Sequence, residues 1–160
     1  MATKLNSTRL LEKRKIPFAV YQFPDTIHDA EKVAEAVGKS PEMVYKTLVV
    51  LKNTHRSKPM LVMIAAPRRL NLKKVAKAVG EKKVRMATHA EAEKLTGLKV
   101  GGIGALALLN RGFEMFIDTP AQSLETVLVS AGKRGVNIEL PVENLVSLTG
   151  AKWIDASDAA

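Results

Sequence analysis

The sequence predicts a mixed α/β fold, a curled sheet with helices on its outside. Three observations predict it. The runs 44–51 and 60–66 are almost wholly apolar and rich in β-branched and aliphatic residues, as strands covered on both faces require. Leu72, Val75, Ala76 and Val79 recur at i, i+3, i+4 and i+7, the spacing of one helix face. Strand-like runs both alternate with helical ones and follow one another directly, which calls for a mixed sheet.

Each element has a local reason. Residues 7–15 read as a charged first helix carrying Leu10 and Leu11, stopped before Ile16-Pro17. Residues 18–23 alternate as a first strand, and Pro24-Asp25 turns the chain. Asp29 caps a helix with Ala30, Val33, Ala34 and Val37 on one face, and Gly38 ends it. Ser40-Pro41-Glu42 is a second start: cap, proline at the first helical position, acid in the first turn. It feeds the strand 44–51, with Lys46 near its beginning. A polar hairpin loop, 52–59, leads to the strand 60–66. Asn71 caps the helix 72–79, which Gly80 closes. Residues 84–87 form a short strand, and Thr88 with Glu91 has capping-box spacing for a helix ended by Gly97. Residues 113–118, 125–130 and 136–140 read as strands, the last two joined by the tight basic turn 131–135. Residues 141–148 form a final helix ended by Gly150, Trp153 and Ile154 pack as a last strand or tail, and the chain frays from Ala156 on.

The chain has 160 residues, enough for one domain (1–160) with a real core and too few for two ordinary ones. It has no cysteine, which excludes disulfides, thiolate metal sites and cysteine nucleophiles and fits a reducing cytoplasm. The longest apolar run, 100–109, is too short to span a bilayer, and residues 1–7 have no signal core. The expected location is therefore cytoplasmic, with no membrane partner. The formal charge is +9, and its distribution is uneven. Between Arg68 and Arg85 lie eight basic residues against one acid, Glu81. That density suits a phosphate backbone, although a solvated helix face would look the same. Aromatics make up only 4%, so no platform for stacking bases is indicated.

The available chemistries are few. His28, His55 and His89 are far apart in sequence and lack metal-ligand spacing, so no metal or other cofactor is expected; capping or solvent exposure suits the two near helix starts. A triad of Ser130, Asp118 and either His28 or His89 has no nucleophile elbow behind it. Gly132-Lys133-Arg134 lacks the remainder of a P-loop. Two features remain. Lys46 would set an ammonium at the rim of whatever cavity the sheet forms, suited to a phosphate or carbonyl oxygen; its alternative is a lysine that snorkels to solvent. Gly101-Gly102-Ile103-Gly104 exposes peptide groups without Cβ obstruction and could cradle an anion or polarise a carbonyl; its alternative is a packed turn.

Four segments occur together and in order: Lys46-Thr47-Leu48-Val49-Val50, Leu72-Lys73-Lys74-Val75-Ala76-Lys77, Val100-Gly101-Gly102-Ile103, and Val129-Ser130-Ala131-Gly132-Lys133-Arg134-Gly135. In this the chain resembles the YbaK/EbsC family of aminoacyl-tRNA deacylases, most closely the YbaK-type Cys-tRNA(Pro) deacylases, from about Ile16 to Ile154. The resemblance implies a barrel-like mixed sheet flanked by helices, shared with the editing domain of bacterial prolyl-tRNA synthetase. It implies trans-editing, the hydrolysis of the aminoacyl ester of a mischarged tRNA, with that synthetase as a candidate partner. Lys46 and Gly101 match the functional lysine and loop. Thr47, Gly102, Ile103, Gly104 and Ser130 would line the aminoacyl pocket. Lys133 and Arg134 would meet the tRNA end, and Arg68, Arg69, Lys73, Lys74 and Lys77 its backbone. In YbaK-type enzymes the substrate's own thiol helps to expel the tRNA; for other substrates a positioned water attacks. The pattern is altered around the pocket: Gly104-Ala105 stands for Ser-Pro, Phe23 for a tyrosine and Asn137 for an aspartate. These changes bear on which amino acid is removed. The alternative function is a tRNA-binding or synthetase-associated module without catalysis; a site for a small aminoacyl-nucleotide is a third.

Overall fold

The computed structural model describes residues 5–53 and 57–160, so His55 and the middle of the 52–59 loop lie outside the described residues. The helices and strands follow as α1 (Asn6–Lys13), β1 (Ala19–Gln22), α2 (Ala30–Val37), β2 (Tyr45–Lys52), β3 (Met60–Ala65), β4 (Arg69–Leu70), α3 (Leu72–Val79), β5 (Val84–Met86), α4 (His89–Thr96), β6 (Glu114–Asp118), β7 (Thr126–Lys133), β8 (Val136–Pro141), α5 (Val142–Thr149), β9 (Lys152–Ile154) and β10 (Ser157–Asp158). The fold is mixed α/β, as expected.

The caps act where the sequence puts them. Asp29 accepts from the Glu31 N–H at 2.9 Å, and Asn71 from the Lys74 N–H at 3.1 Å. Thr88 and Glu91 exchange reciprocal bonds with each other's backbone. α2, α3, α4 and α5 all stop at a left-handed glycine.

β5, β2, β3, β6 and β9 form one sheet, parallel only at β3–β6 and β6–β9. β1, β8 and β7 form an antiparallel second sheet. β3 is buried along its whole length because both its faces are covered. Leu61, Met63 and Ala65 join the main core with Val127, Val129, Ile138 and Leu140 of the second sheet. Met60, Val62 and Ile64 face Val75 and Ala76 of α3. The ladders do not close into a barrel among the described residues; one parallel bridge, Val44 to Leu128, links the two larger sheets.

Two expectations are corrected. The tail does not fray at Ala156: Ala156 and Ser157 are fully buried, and β10 pairs with β4, a strand the sequence did not announce. The cause is Asp118, a buried carboxylate that must be satisfied. It accepts from the Ala156 N–H at 2.8 Å and from the Ser157 hydroxyl, with the Arg68 guanidinium 3.7 Å away. Nor does the basic turn begin at Ala131. β7 runs on to Lys133 with a bulge after Ser130, leaving only Arg134 and Gly135 to reverse the chain.

Asp118→Ala should therefore destabilise the protein by on the order of 3 kcal/mol, because it strands a buried N–H, a hydroxyl and a cation together. Thermal unfolding checks this; the expected fall in Tm is roughly 6–12 °C.

Candidate active site

The site begins where β2 emerges from the short helical turn Pro41–Met43, whose cap Ser40 accepts from the Glu42 N–H. Lys46 is half-buried there, and its Nζ donates to the Ala66 carbonyl at 3.0 Å. Burial pulls its pKa below the ordinary lysine value, while Asp29 and Glu31 at the start of α2 pull the other way. A cavity of about 240 Å³ opens beside it. Thr47, Gly101, Ile103, Ser130 and Asn137 share its wall with Lys46. These residues come from distant parts of the chain, and β-pairing brings them together: Ser130 of β7 stands opposite Asn137 of β8.

The glycine loop is tied down rather than floppy. The Gly102 N–H donates to Lys99 O at 2.8 Å, and the Val100 N–H to Glu93 Oε2 at 2.9 Å. Arg134 Nε donates to Val100 O at 2.6 Å, so the hairpin tip grips the loop directly. A Cβ at Gly102 would lie 2.7 Å from the Arg134 nitrogen, and one at Gly104 would overlap the Ser130 carbonyl oxygen. Only glycine permits these approaches. At Gly101 the reason is conformational as well, with φ at +91°.

The sequence-predicted residues therefore divide. Lys46, Thr47, Gly101, Ile103, Ser130 and Asn137 meet at the cavity. Gly102 and Gly104 pack against β7 and the hairpin. Phe23 lies in a separate cluster with Tyr21 and Ile27, its N–H donating to Gly135 O. Lys133 and Arg134 line an adjoining cleft with Lys99. α3, carrying Lys73, Lys74 and Lys77, packs on the face of the five-stranded sheet away from the main core, to which the cavity residues Val49, Ala92 and Ile103 belong. Arg68 is engaged with Ser157 and Asp118, and Lys74 with Asp155 and Asp158. Arg69 lies in β4 with its side chain exposed.

Sequence reasoning missed both histidines. His28 and His89 line the cavity, which their positions beside helix caps did not reveal. The hydroxyls of Tyr45 and Thr47 are buried with no hydrogen-bond partner among the described residues. Burial pushes the Tyr45 phenol well above its usual range, aided by Asp118 and Glu42. The Ser130 hydroxyl accepts from the Gly132 N–H at 3.2 Å, and Asp118 is occupied by the tail, so no nucleophilic triad forms from them. Among the described residues, no three His, Asp or Glu side chains gather as a metal site would need, and no helix is long and apolar enough to cross a membrane.

Comparison with known proteins shows the family and the fold. The family profile described as "Aminoacyl-tRNA editing domain" matches residues 25–148. An Enterococcus faecalis protein named "Putative Cys-tRNA(Pro)/Cys-tRNA(Cys) deacylase EbsC" is 36% identical over 154 residues, 95% of this chain and 92% of that one. A proline–tRNA ligase of Aquifex aeolicus is 29% identical over 82 residues, 51% of this chain but 14% of the ligase. The crystal structure of a hypothetical protein superposes with a TM-score of 0.86 at 26% identity, covering 96% of this chain and all of the other. A structure titled "a putative trans-editing enzyme for prolyl tRNA synthetase" gives 0.81 at 25% identity, covering 99% of this chain and all of the other.

Proposed function

The chain belongs to the aminoacyl-tRNA editing domain family, and from that premise we propose that it is a free-standing deacylase. It hydrolyses the ester between a wrongly attached amino acid and tRNA, most simply Cys-tRNA(Pro) or a tRNA bearing another small amino acid. One observation carries the reading: Lys46, Gly101 and Ile103 border one small cavity. In this reading water adds to the ester carbonyl, the bond to the ribose oxygen breaks, and amino acid and tRNA separate. Lys46 supplies positive charge to the ester region or the terminal phosphate, and the tethered loop fixes the carbonyl. Ser130, Asn137 and the unpartnered Thr47 hydroxyl face the aminoacyl side chain. Gly102 and Gly104 act indirectly, by letting the loop sit against β7; Phe23 shapes the neighbouring cluster. Lys133 and Arg134 meet the acceptor end in the adjoining cleft. Arg68, Arg69, Lys73, Lys74 and Lys77 belong to a more distant tRNA contact.

The same reading includes one domain over residues 1–160, supported by a core that reaches from Leu11 to Ala151. It includes a barrel-like wrapping of the two larger sheets, supported by the Val44–Leu128 bridge. A cytoplasmic setting goes with it, where charged tRNA is used. The partial match to a proline–tRNA ligase favours prolyl-tRNA synthetase as partner.

A panel of mischarged tRNAs tests the proposal. At least one small amino acid should be released well above the rate in buffer. Rates equal to buffer on every substrate, with salt-sensitive tRNA binding retained, would identify a non-catalytic binding module instead.

A further inference from the structure

His28 belongs to the walls of both the Lys46 cavity and the Lys133–Arg134 cleft. It lies directly over the loop: a Cβ built on Gly101 would be 3.2 Å from the His28 Cβ and 3.4 Å from its Cδ2. Its Nε2 is 3.2 Å from the Asp25 carbonyl oxygen. A carbonyl only accepts, so this bond puts the ring proton on Nε2 and leaves a lone pair on Nδ1. The Asp25 carbonyl thus favours the Nε2–H tautomer and orients the ring, without the counter-charge that a carboxylate would add. The competing groups in the same wall are less suited. Asp29 is occupied in capping α2, and the Tyr45 phenol holds its proton too firmly.

Resting on the deacylase reading, we propose that His28 carries the proton during ester hydrolysis. As the water oxygen bonds to the ester carbonyl carbon, Nδ1 takes one water proton. As the bond from that carbon to the ribose oxygen breaks, the same proton passes to the ribose oxygen. The products are the free amino acid and tRNA with its terminal hydroxyl restored, and no other reactant is needed.

His28→Gln tests this, assayed on the wild type's best mischarged tRNA across pH 5 to 9 after subtraction of uncatalysed hydrolysis. The charged and titratable groups around the ring are Asp25 and Asp29 on its own segment, Lys46 and His89 across the cavity, and Lys99, Lys133 and Arg134 across the cleft. His89 is the other imidazole in the cavity wall, so His89→Gln is run in parallel. The expected result for His28→Gln is a fall in kcat of about 100-fold, with KM and melting temperature nearly unchanged. The acid-side pH dependence of the wild-type kcat should flatten with it. Three results overturn the proposal: kcat within about threefold of wild type; an acid decline that survives in His28→Gln and vanishes in His89→Gln; or a loss accompanied by a lowered melting temperature and an unmoved acid decline, which assigns His28 to packing Gly101. A wild type inactive on every substrate overturns the deacylase reading and this one together. An active wild type with an unaffected His28→Gln removes only the proton role.

Discussion

Lys46→Ala should lower kcat/KM for deacylation by about two to three orders of magnitude, the range seen when one positioned electrostatic contact is removed from a transition state. The size follows from where the charge sits. The ammonium is half-buried and held by the Ala66 carbonyl, so it is already oriented when substrate arrives. Its field is screened less there than at an open surface. The fold should survive, because truncation removes one hydrogen bond, from Lys46 Nζ to the Ala66 carbonyl, and no core side chain. Single-turnover rates with the variant and wild type give the ratio directly; a change below about fivefold would remove Lys46 from the chemistry. The pH dependence has a definite sign. Burial lowers the lysine's pKa, so the ammonium loses its proton sooner as pH rises. Enzymatic activity should therefore decline on the alkaline side below the ordinary lysine value of about 10.4, and Lys46→Ala should show no such decline.

Gly104→Ala should reduce kcat/KM by roughly 100-fold, although Gly104 does not line the cavity. Its φ of −136° is open to any residue, so the cost is one of contact alone. A methyl group there would overlap the Ser130 carbonyl and lie 3.2 Å from the Gly132 nitrogen. Both are backbone atoms of β7 and cannot swing aside as a side chain would. The loop must lift or the strand must bend, at about 1–3 kcal/mol of stability. Either movement shifts Ser130 relative to Gly101 and Ile103, across the cavity. Gly80→Ala is the comparison. Its φ is +74°, and a Cβ there meets nothing within 4 Å. It should cost about 1 kcal/mol of stability and leave activity intact. Paired measurements of melting temperature and kcat/KM separate the two; equal activity loss in both would show that general destabilisation is responsible.

Much of the fold was legible because its signals are short-range. Asp29, Asn71 and Thr88 each satisfy a backbone donor within three residues, so a cap can be read without knowing what surrounds it. The unbroken apolar run of β3 announced two covered faces, and both clusters use it. The tail carried no such signal: Ala156 and Ser157 are small and sit beside acids, and only the buried Asp118 of β6 explains why they are held. The site was legible as a set of residue types, through the resemblance, and not as a geometry. Nothing local indicates that His28 folds over Gly101, or that Arg134 grips Val100, because both contacts join segments far apart in sequence. The bulge after Ser130 was hidden for a related reason, since register belongs to a strand pair rather than to one strand.

The clasped C-terminal tail also alters how the basic stretch would meet a polyanion. Arg68 is matched by Asp118, Lys74 by Asp155 and Asp158, and Arg85 by Glu91. Each matched side chain must leave an internal acid before it can replace a condensed ion on a nucleic acid. The entropy gained by freeing small ions into bulk solution is then smaller than a tally of lysines and arginines implies. Affinity through this face would vary with salt less steeply, by about 0.9 in logarithmic slope for every such side chain withheld.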